Sequence, residues 1–327
     1  MRHILNKIYL LVLLTGLISI SINAQQRILI HSHNDYEQRV PFYQAYAQQV
    51  ASIEADIYTT GKANELKVAH DLKDVANAPT IDEAYITPLV NLFKQNGGRP
   101  WKNSDKTLIL LVDLKTPANP TLDILVSKLK AYPQVFDATV NPYAVKVVIS
   151  GNRPAEKDYS KYPSFISFDG YKTDYTPEQL KRIAMISLSF ADYSVWNGKG
   201  SIKKAELEKV VKVINEVHAL GKPIRIWGTP DGVTAWNTFH NLGIDYINTD
   251  RPEACADYFS HFDNKNYQIG KNEDITDDVA RAKRLDRTTV GFQGFNNKLL
   301  QLSKGINVYT PTYKNDGSNK PIKNIIF

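Results

Sequence analysis

From residue 27 onward, hydrophobic and polar positions follow two alternating patterns. Short runs of apolar and β-branched residues are typical of buried strands, and longer amphipathic stretches between them are typical of helices. The clearest helix starts at Ser201 as its cap, carries apolar residues along one side and stops at Gly221. The runs that predict strands are residues 27–31, 52–57, 108–115, 145–150, 165–168, 185–190, 223–227 and 246–248.

These strand and helix patterns predict an α/β fold, a closed (β/α)8 TIM barrel over residues 25–263. A doubly wound open sheet is the competing architecture, but it normally has a glycine-rich turn after its first strand. Residues 32–35 read Ser-His-Asn-Asp instead. After residue 263 the alternation stops, so residues 264–327, rich in Gly, Asn and Lys, are predicted to be a polar C-terminal extension.

The first 24 residues have the pattern of a secretory signal peptide. Arg2 and Lys7 precede an almost entirely apolar run at 8–22, and Ala24 supplies a small residue for cleavage. The apolar run of about 15 residues is shorter than the roughly 20 that span a bilayer. The sequence therefore predicts an exported protein, periplasmic or extracellular, with no integral membrane segment after cleavage.

Composition and charge exclude several classes of function. A hydrophobic content of 43% is that of a folded domain, and the single Cys255 excludes a disulfide scaffold and a cysteine zinc site. The net charge of +6 divides into +2 for residues 1–24, −1 for 25–263 and +5 for 264–327. Because the barrel is nearly neutral and lacks a basic stripe with interleaved aromatics, no nucleic-acid binding is predicted.

Acidic residues lie on two neighbouring predicted strands, near the ends where barrel enzymes carry their chemistry. Glu54 and Asp56 are two residues apart, so both side chains point to the same face, and their apolar neighbours take the other. Asp113 lies on the next strand in the same alternation. Carboxylates that converge in a barrel mouth repel each other, so we expect a cation there, and hard oxygen ligands favour Mg²⁺ or Ca²⁺.

Two histidines flank this acidic group. His31 ends the first predicted strand and His70 ends the strand-like segment 66–69. Such a pair can remove one proton and donate another across a metal-held group. Lys115 follows Asp113 at the same spacing of two and offers a positive charge to an anionic substrate. His33 has no predicted catalytic role.

Four short strings carry a family resemblance. They are His-Ser-His-Asn-Asp-Tyr at 31–36, Glu-Ala-Asp at 54–56, His-Asp at 70–71 and Val-Asp-Leu-Lys at 112–115. Together they resemble the barrel phosphodiesterases, which include glycerophosphodiester phosphodiesterases, bacterial phosphatidylinositol phospholipases C and the sphingomyelinase D toxins. The strings Ile-Trp-Gly at 226–228 and Asn-Thr-Asp at 248–250 are similar to the last two strands of that superfamily.

The resemblance implies a role for each matched residue. His31 and His70 would be the acid/base pair and Lys115 would contact the phosphate, while the residues that hold one divalent ion would be Glu54, Asp56 and Asp113. Residues 32–33 read Ser-His where glycerophosphodiesterases usually have Arg-Gly, and the Asp-Leu-Lys-Thr string at 113–116 is closer to the sphingomyelinase D branch. That likeness makes Asn34 a substrate-binding candidate. Trp227, at the end of the seventh strand, is a second.

The end of the chain carries a separate resemblance. Residues 321–327, Pro-Ile-Lys-Asn-Ile-Ile-Phe, are similar to the first strand of alkaline phosphatases, so the extension is interpreted as a possible linker to a phosphatase domain.

An amidohydrolase is disfavoured, because residues 165–170 and 185–190 contain no histidine ligand.

The sequence thus predicts a secreted, divalent-metal-dependent phosphodiesterase of lipid metabolism that cleaves glycerophosphodiesters or phospholipid head groups by two-histidine catalysis. Water and a neighbouring substrate hydroxyl are both candidate nucleophiles. The alternative is a non-catalytic secreted barrel module of a split or truncated phosphatase fusion. No oligomeric state is predicted.

Overall fold

The computed structural model describes residues 28–262, 299–303 and 306–309. The predicted signal peptide at 1–24 and the string at 321–327 lie outside the described residues. Within the predicted extension, Leu299–Ser303 and Ile306–Tyr309 form an antiparallel pair of strands.

Nine strands within residues 28–262 form one sheet. In chain order they are β1 (Leu29–Ser32), β2 (Ser52–Thr59), β3 (Leu66–Val68), β4 (Ile109–Leu114), β5 (Lys146–Gly151), β6 (Ile166–Gly170), β7 (Ile183–Ser189), β8 (Ile224–Trp227) and β9 (Tyr246–Thr249). The order β1-β9-β8-β7-β6-β5-β4-β2 is parallel throughout, and β1 pairs with β2 to close it. β3 pairs antiparallel with β2 and lies outside this ring. The predicted TIM barrel is confirmed.

Helices connect the parallel strands. They are α1 (Tyr43–Ala47), α2 (Thr87–Gln95), α3 (Ala118–Lys130), α4 (Pro133–Phe136), α5 (Pro177–Leu180), α6 (Lys204–Ala219), α7 (Val233–Leu242) and α8 (Pro252–Phe262), with a π-helical turn at Asp82–Ile86 and 3₁₀ turns at Asp35–Glu37, Leu72–Asn77, Glu156–Lys161 and Phe190–Asp192. The apolar side predicted for α6 is buried, but the helix begins after Lys203 rather than Ser201, because Ile202 enters the core first. Among the helices described, none has the length and apolarity to cross a membrane.

The barrel interior is filled in levels, because each strand turns every second side chain inward. The lowest level is an apolar plug, formed by Ile109, Leu111, Val148, Met185 and Tyr246. The next level is a buried polar layer, formed by His31, Glu54, Asp169, Ser187, Arg225 and Asn248. The main hydrophobic core lies outside the strands, beneath the helices. The plug seals one end of the barrel, so access to the polar layer is from the carboxyl ends of the strands.

Candidate active site

A cavity of about 440 Å³ opens at the carboxyl ends of the barrel strands. All the predicted site residues except His31 and Asp56 line it. The full lining is His33, Asn34, Glu54, His70, Asp113, Lys115, Ser150, Gly151, Arg153, Asp169, Tyr171, Ser187, Leu188, Ser189, Asp192, Arg225 and Trp227.

Lys115 joins two of the three predicted carboxylates. Asp56 and Asp113 are register partners on β2 and β4, and Nζ of Lys115 lies 2.8 Å from Oδ2 of Asp56 and 3.0 Å from Oδ1 of Asp113. Burial by itself would lower the pKa of Lys115, but the hydrogen bond to Asp56 and the charges of both carboxylates outweigh it and raise that pKa. The Ser150 hydroxyl donates to Oδ2 of Asp113 at 2.6 Å, which fixes the carboxylate.

Asp56 has the chemistry expected of a cation ligand. Its side chain is buried, and its Oδ1 has no hydrogen-bond partner. Burial and the charge of Glu54 raise its pKa to about 6, although Lys115 lowers it. A buried oxygen without a partner is one that a cation or water satisfies, and a cation would also relieve the repulsion from Glu54.

The three carboxylates do not form a ready-made metal cluster. Across the described part of the chain, no three His, Cys, Asp or Glu side chains are grouped as metal ligands, because Lys115 lies between Asp56 and Asp113 and Arg225 binds Glu54. The donor set is nonetheless all oxygen, and Oδ1 of Asp56 is unpartnered. Its chemistry fits one hard divalent cation.

Arg225 is the centre of the buried polar layer. Its Nη1 lies 3.1 Å from Oε2 of Glu54 and 3.1 Å from Oδ1 of Asn248, and its Nε donates to Ser187 at 2.9 Å. For Glu54, burial alone would raise the pKa, but the Arg225 charge and the bond to His31 outweigh it and lower that pKa. Arg225 therefore keeps Glu54 ionised inside the barrel.

The structure corrects the predicted placement of His31. Its imidazole has no exposed surface and does not line the cavity. Nδ1 lies 2.9 Å from the Ser52 hydroxyl, and Nε2 lies 2.7 Å from both Glu54 and Arg225. Burial and the Arg225 charge lower the pKa of His31 to about 4. Both ring nitrogens are thus occupied within the protein, one level below the cavity.

His33 lies one level higher and lines the cavity. Its Nδ1 is 2.6 Å from Oδ1 of Asp250, the residue that follows β9. Burial alone would lower the pKa of His33, but the bond to Asp250 and the charge of Glu54 outweigh it, so that pKa is raised. Of His31 and His33, His33 is therefore the one that lines the cavity.

His70 lines the cavity as predicted and is half exposed. Its Nδ1 lies 3.0 Å from the Tyr36 hydroxyl, which donates to Oδ2 of Asp56 at 2.7 Å. The tyrosine hydroxyl can accept Nδ1–H from His70 while it donates to Asp56. Burial and the charge of Asp56 raise the pKa of Tyr36, so the hydroxyl keeps its proton.

The residues between His33 and Tyr36 have distinct roles. Asn34 adopts a left-handed conformation with φ of 46°, and its Oδ1 lies 2.9 Å from the Tyr36 hydroxyl. Asp35 is fully buried and accepts from Ser32, from the Phe42 backbone and from Tyr85, so it fixes the loop.

An arginine and two aromatic side chains form the cavity mouth. Trp227 is 43% exposed, and Tyr171 is also exposed. The Arg153 guanidinium lies 4.8 Å from the Tyr171 ring centroid and donates to the Asp169 carbonyl at 2.6 Å. A cation and two aromatic faces are thus available to a substrate that enters.

Sequence reasoning missed Arg225, Asp169, Tyr36 and Asp250. Arg225 alternates with Ile224 and Ile226 on its strand, so the argument that turned Glu54 inward applied to it equally. The same alternation runs from Asn248 to Asp250, but the sequence did not reveal the contact of Asp250 with His33, which is 217 residues away in the chain.

Gly151 packs directly against Asp113. Its φ is +68°, and an added Cβ would lie 2.6 Å from Oδ1 of Asp113 and 2.6 Å from the Leu114 carbonyl. We expect Gly151→Ala to lower the free energy of unfolding by about 2–3 kcal/mol and to displace Asp113. Gly221→Ala is the matched control, with φ of +67° and nothing within 4 Å. Urea unfolding measures both, and equal losses would contradict the packing argument.

Comparison with known proteins finds a phosphodiesterase family model over part of the chain. Residues 20–161 match the AIM6-like phosphodiesterase domain. The chain is 26% identical over 275 residues to altered inheritance of mitochondria protein 6 of Eremothecium gossypii, covering 70% of this chain and 69% of that protein. It is 26% identical over 268 residues to the Arthroderma benhamiae homolog, covering 71% and 84%. It is also similar to the crystal structure of a glycerophosphodiester phosphodiesterase from Parabacteroides distasonis, with a TM-score of 0.48, 14% identity and coverage of 72% and 98%.

The enzyme class that the match over residues 20–161 supports is a phosphodiester hydrolase. The match of residues 20–161 to an AIM6-like phosphodiesterase domain agrees with the phosphodiesterase resemblance carried by the sequence motifs.

Proposed function

We propose that the chain is an exported, divalent-cation-dependent phosphodiesterase that cleaves glycerophosphodiesters or phospholipid head groups by imidazole acid/base catalysis. The observation that carries the proposal is that carboxylates, an ammonium group and imidazoles line one cavity of about 440 Å³, with Glu54, Asp113, Lys115 and His70 among its walls. A cavity of that volume accepts a small head group. The charged walls favour the phosphate and its polar substituent over an acyl chain.

The proposed reaction moves two protons. One imidazole takes a proton from the nucleophile, either water or a neighbouring substrate hydroxyl, as the nucleophile's oxygen bonds to phosphorus. The bond from phosphorus to the leaving oxygen breaks with its electron pair, and a protonated imidazole gives its proton to that alkoxide. Water yields a phosphomonoester and an alcohol, and an internal hydroxyl yields a cyclic phosphate and an alcohol.

His70 supports one of these imidazole roles. Its Nδ1 is bound to Tyr36, and no described residue forms a hydrogen bond to its Nε2. The ring is therefore oriented by Tyr36 and offers Nε2 to the cavity.

The cation would be held by Asp56, Asp113 and Glu54. Support comes from the unpartnered Oδ1 of Asp56, and from the burial and the Glu54 charge that together raise the pKa of that carboxyl. When bound, a Mg²⁺ or Ca²⁺ ion neutralises charge on the phosphoryl oxygens. Lys115 adds a second positive charge at the same phosphate.

Asn34 and Trp227 would contact the rest of the substrate. Trp227 offers an exposed aromatic face at the mouth to the carbon skeleton of a head group, and Asn34 offers an amide near His70. Export to the periplasm or the extracellular space rests on the signal peptide pattern at residues 1–24.

The test is turnover of a substrate panel comprising glycerophosphodiesters, phosphatidylinositol, lysophospholipids and sphingomyelin, each with Mg²⁺, Ca²⁺ or EDTA. We expect turnover of at least one diester and a loss of roughly 10²-fold or more in EDTA, because the phosphoryl charge then lacks its cation. Phosphorus NMR distinguishes a phosphomonoester from a cyclic phosphate.

Asp113→Asn and Asp82→Asn are the matched variants for this experiment. Asp82 pairs with Lys128 at 2.6 Å and does not line the cavity, so its substitution leaves metal dependence unchanged. Asp113→Asn is expected to weaken the thermal stabilisation that Mg²⁺ or Ca²⁺ gives the protein. Folded protein that hydrolyses no diester with either ion would contradict the proposal and favour the non-catalytic module.

A further inference from the structure

The two ends of the barrel differ in how their lysines are paired. At the cavity end, most lysines in the loops after the strands form ion pairs, as Lys73 does with Asp71. At the opposite end, which the apolar plug seals, Lys102, Lys130 and Lys146 are exposed. Among the described residues, no carboxylate forms an ion pair with any of these three. Their positive charge is therefore uncompensated within the barrel.

The three lysines belong to one surface. We call it the basal surface and define it as residues 97–106 and 130–146, which precede β4 and β5. The Asn141 side-chain amide donates to the Gly98 carbonyl at 2.8 Å and to the Gln134 carbonyl at 2.7 Å. Because Asn141 is buried and bound to both segments, it holds them together as one face.

The basal surface combines positive charge with exposed apolar side chains. It contains five basic residues and two acidic ones. Tyr132 and Val140 are 40% and 46% exposed in the same surface. Tyrosine and valine beside lysines are the composition of a surface that lies at the interface of an anionic bilayer, where the ring and the methyl groups enter the head-group region and the ammonium groups meet lipid phosphates.

Lysines at this end of the barrel also repel one another. Lys222, just before β8, donates to the Ile183 carbonyl at 2.7 Å. Burial, and next the charge of Lys146, lower the pKa of Lys222. An anionic partner at this end would relieve the repulsion, whereas a neutral partner would not.

The chain enters and leaves the barrel at the same end. Strands of a (β/α)8 barrel begin at the end to which its helices return, so the residues before β1 and those after α8 connect to the barrel beside the basal surface. Residues 264–327 add 11 basic and 6 acidic residues there. The cavity lies at the other end: Lys146 and Gly151 are the first and last residues of β5, about 17 Å apart along the strand.

We propose that the basal surface docks the protein on a bilayer that contains anionic lipid, with Tyr132 and Val140 at the interface and the cavity facing the water. The docking itself requires no catalysis. One consequence rests on the proposed function: a phosphodiester dissolved in the water reaches the cavity of the docked protein, and a phospholipid in the same bilayer does not. The substrate class is then the water-soluble glycerophosphodiesters.

Vesicle sedimentation measures the docking. The full chain is mixed with vesicles of phosphatidylcholine, or of phosphatidylcholine and phosphatidylglycerol in equal amounts. Any binding by the apolar run at 8–22 occurs with both, so the difference between the two vesicles reports charge. A lysine near an anionic bilayer contributes a factor of roughly five, so we expect the triple variant Lys102→Gln, Lys130→Gln, Lys146→Gln to bind the anionic vesicles roughly 10²-fold more weakly. Equal binding of the wild type to both vesicles would overturn the proposal.

Lys157→Gln, Lys199→Gln, Lys209→Gln is the matched control. These three lysines are also exposed and without an ion-pair partner in the part of the chain that the structure describes, but they lie on cavity-end loops and on α6. Each triple variant removes three charges, so net charge alone would weaken binding equally in both. We expect wild-type binding in the control, and equal losses would overturn the basal surface as the docking face. Retention on dextran sulfate that matches binding to anionic vesicles would instead make the partner a polyanionic polymer and overturn the bilayer.

Fluorescent labels test the orientation. Tyr132→Cys and Val195→Cys are each labelled with the environment-sensitive dye NBD, and the native Cys255 is buried. Val195 is 81% exposed and lies in the segment that follows β7, at the cavity end. With anionic vesicles we expect a blue shift and a gain in emission from the label at 132 and no change at 195. A shift at 195 without one at 132 would place the cavity against the bilayer and overturn the proposal.

Turnover tests the consequence for the substrate. We expect anionic vesicles that bind all the protein to change kcat/KM for a soluble glycerophosphodiester less than about twofold, because the cavity stays in the water. Phosphatidylinositol in the same vesicles should remain uncleaved. Hydrolysis of that lipid in proportion to the protein bound would overturn the orientation. If no diester is hydrolysed at all, the proposed function fails, while sedimentation and the labels still decide the docking.

Discussion

Substitution of His70 by asparagine is expected to lower kcat for phosphodiester hydrolysis by about 10²–10⁴-fold. Asparagine retains an amide near the position of Nδ1, so the contact with Tyr36 can persist while the Nε2 that faces the cavity is lost. The side chain is half exposed, so we expect the free energy of unfolding to change by less than about 0.5 kcal/mol. Steady-state kinetics and urea unfolding measure the two quantities.

His218→Asn is the control for this variant. His218 is also partly exposed and bound to a carboxylate, but it lies near the end of α6, away from the cavity. We expect it to keep wild-type kcat. If His70→Asn retained more than a tenth of wild-type kcat in folded protein, His70 would not be a proton-transfer group.

Substitution of Arg225 by methionine is expected to lower the free energy of unfolding by about 3–5 kcal/mol. Methionine preserves much of the volume but leaves the buried carboxylate of Glu54 without its main counter-charge. The double variant Arg225→Met with Glu54→Gln is expected to recover part of the loss, because no unpaired charge then remains between these two positions. Urea unfolding in EDTA excludes compensation by a metal ion.

The deficit of Arg225→Met should depend on pH. Arg225 lowers the pKa of Glu54 below its ordinary value, so the stabilisation by this pair is present above that ordinary value and is lost as pH falls through the lowered pKa. The difference between variant and wild type should therefore be largest near neutral pH and should narrow in acid. Lys181→Met, which removes an exposed partner of Glu178, provides the comparison and should cost less than about 1 kcal/mol. Equal losses in the two variants would contradict the role assigned to the buried pair.

The fold could be predicted because its signal is local. Alternation along β2 turned Glu54 and Asp56 inward, and the structure has both buried inside the barrel with Asp113 beside Asp56. The same alternation on β8 turns Arg225 inward. Arg225 was not predicted as a site residue, because a single arginine between two isoleucines was not recognised as a charge inside the barrel.

The choice between His31 and His33 could not be made from the sequence. His31 lies on β1 and His33 directly follows that strand. Because they are two positions apart, both side chains face the barrel interior, at levels about 7 Å apart. Which level is open depends on the height of the apolar plug, and that height is set by side chains from β4, β5, β7 and β9. His31 lies in the polar layer directly above the plug, whereas His33 reaches the cavity.

The sequence by itself determined the barrel, the inward carboxylates and the strand ends at which chemistry collects, because each follows from periodicity over a few residues. Tertiary structure alone decided which imidazoles line the cavity, that Arg225 pairs with Glu54 in the polar layer, and that Asp250 contacts His33 where β1 and β9 pair. Those contacts join residues 171 to 217 positions apart in the chain. Only closure of the barrel brings such distant residues within hydrogen-bond distance.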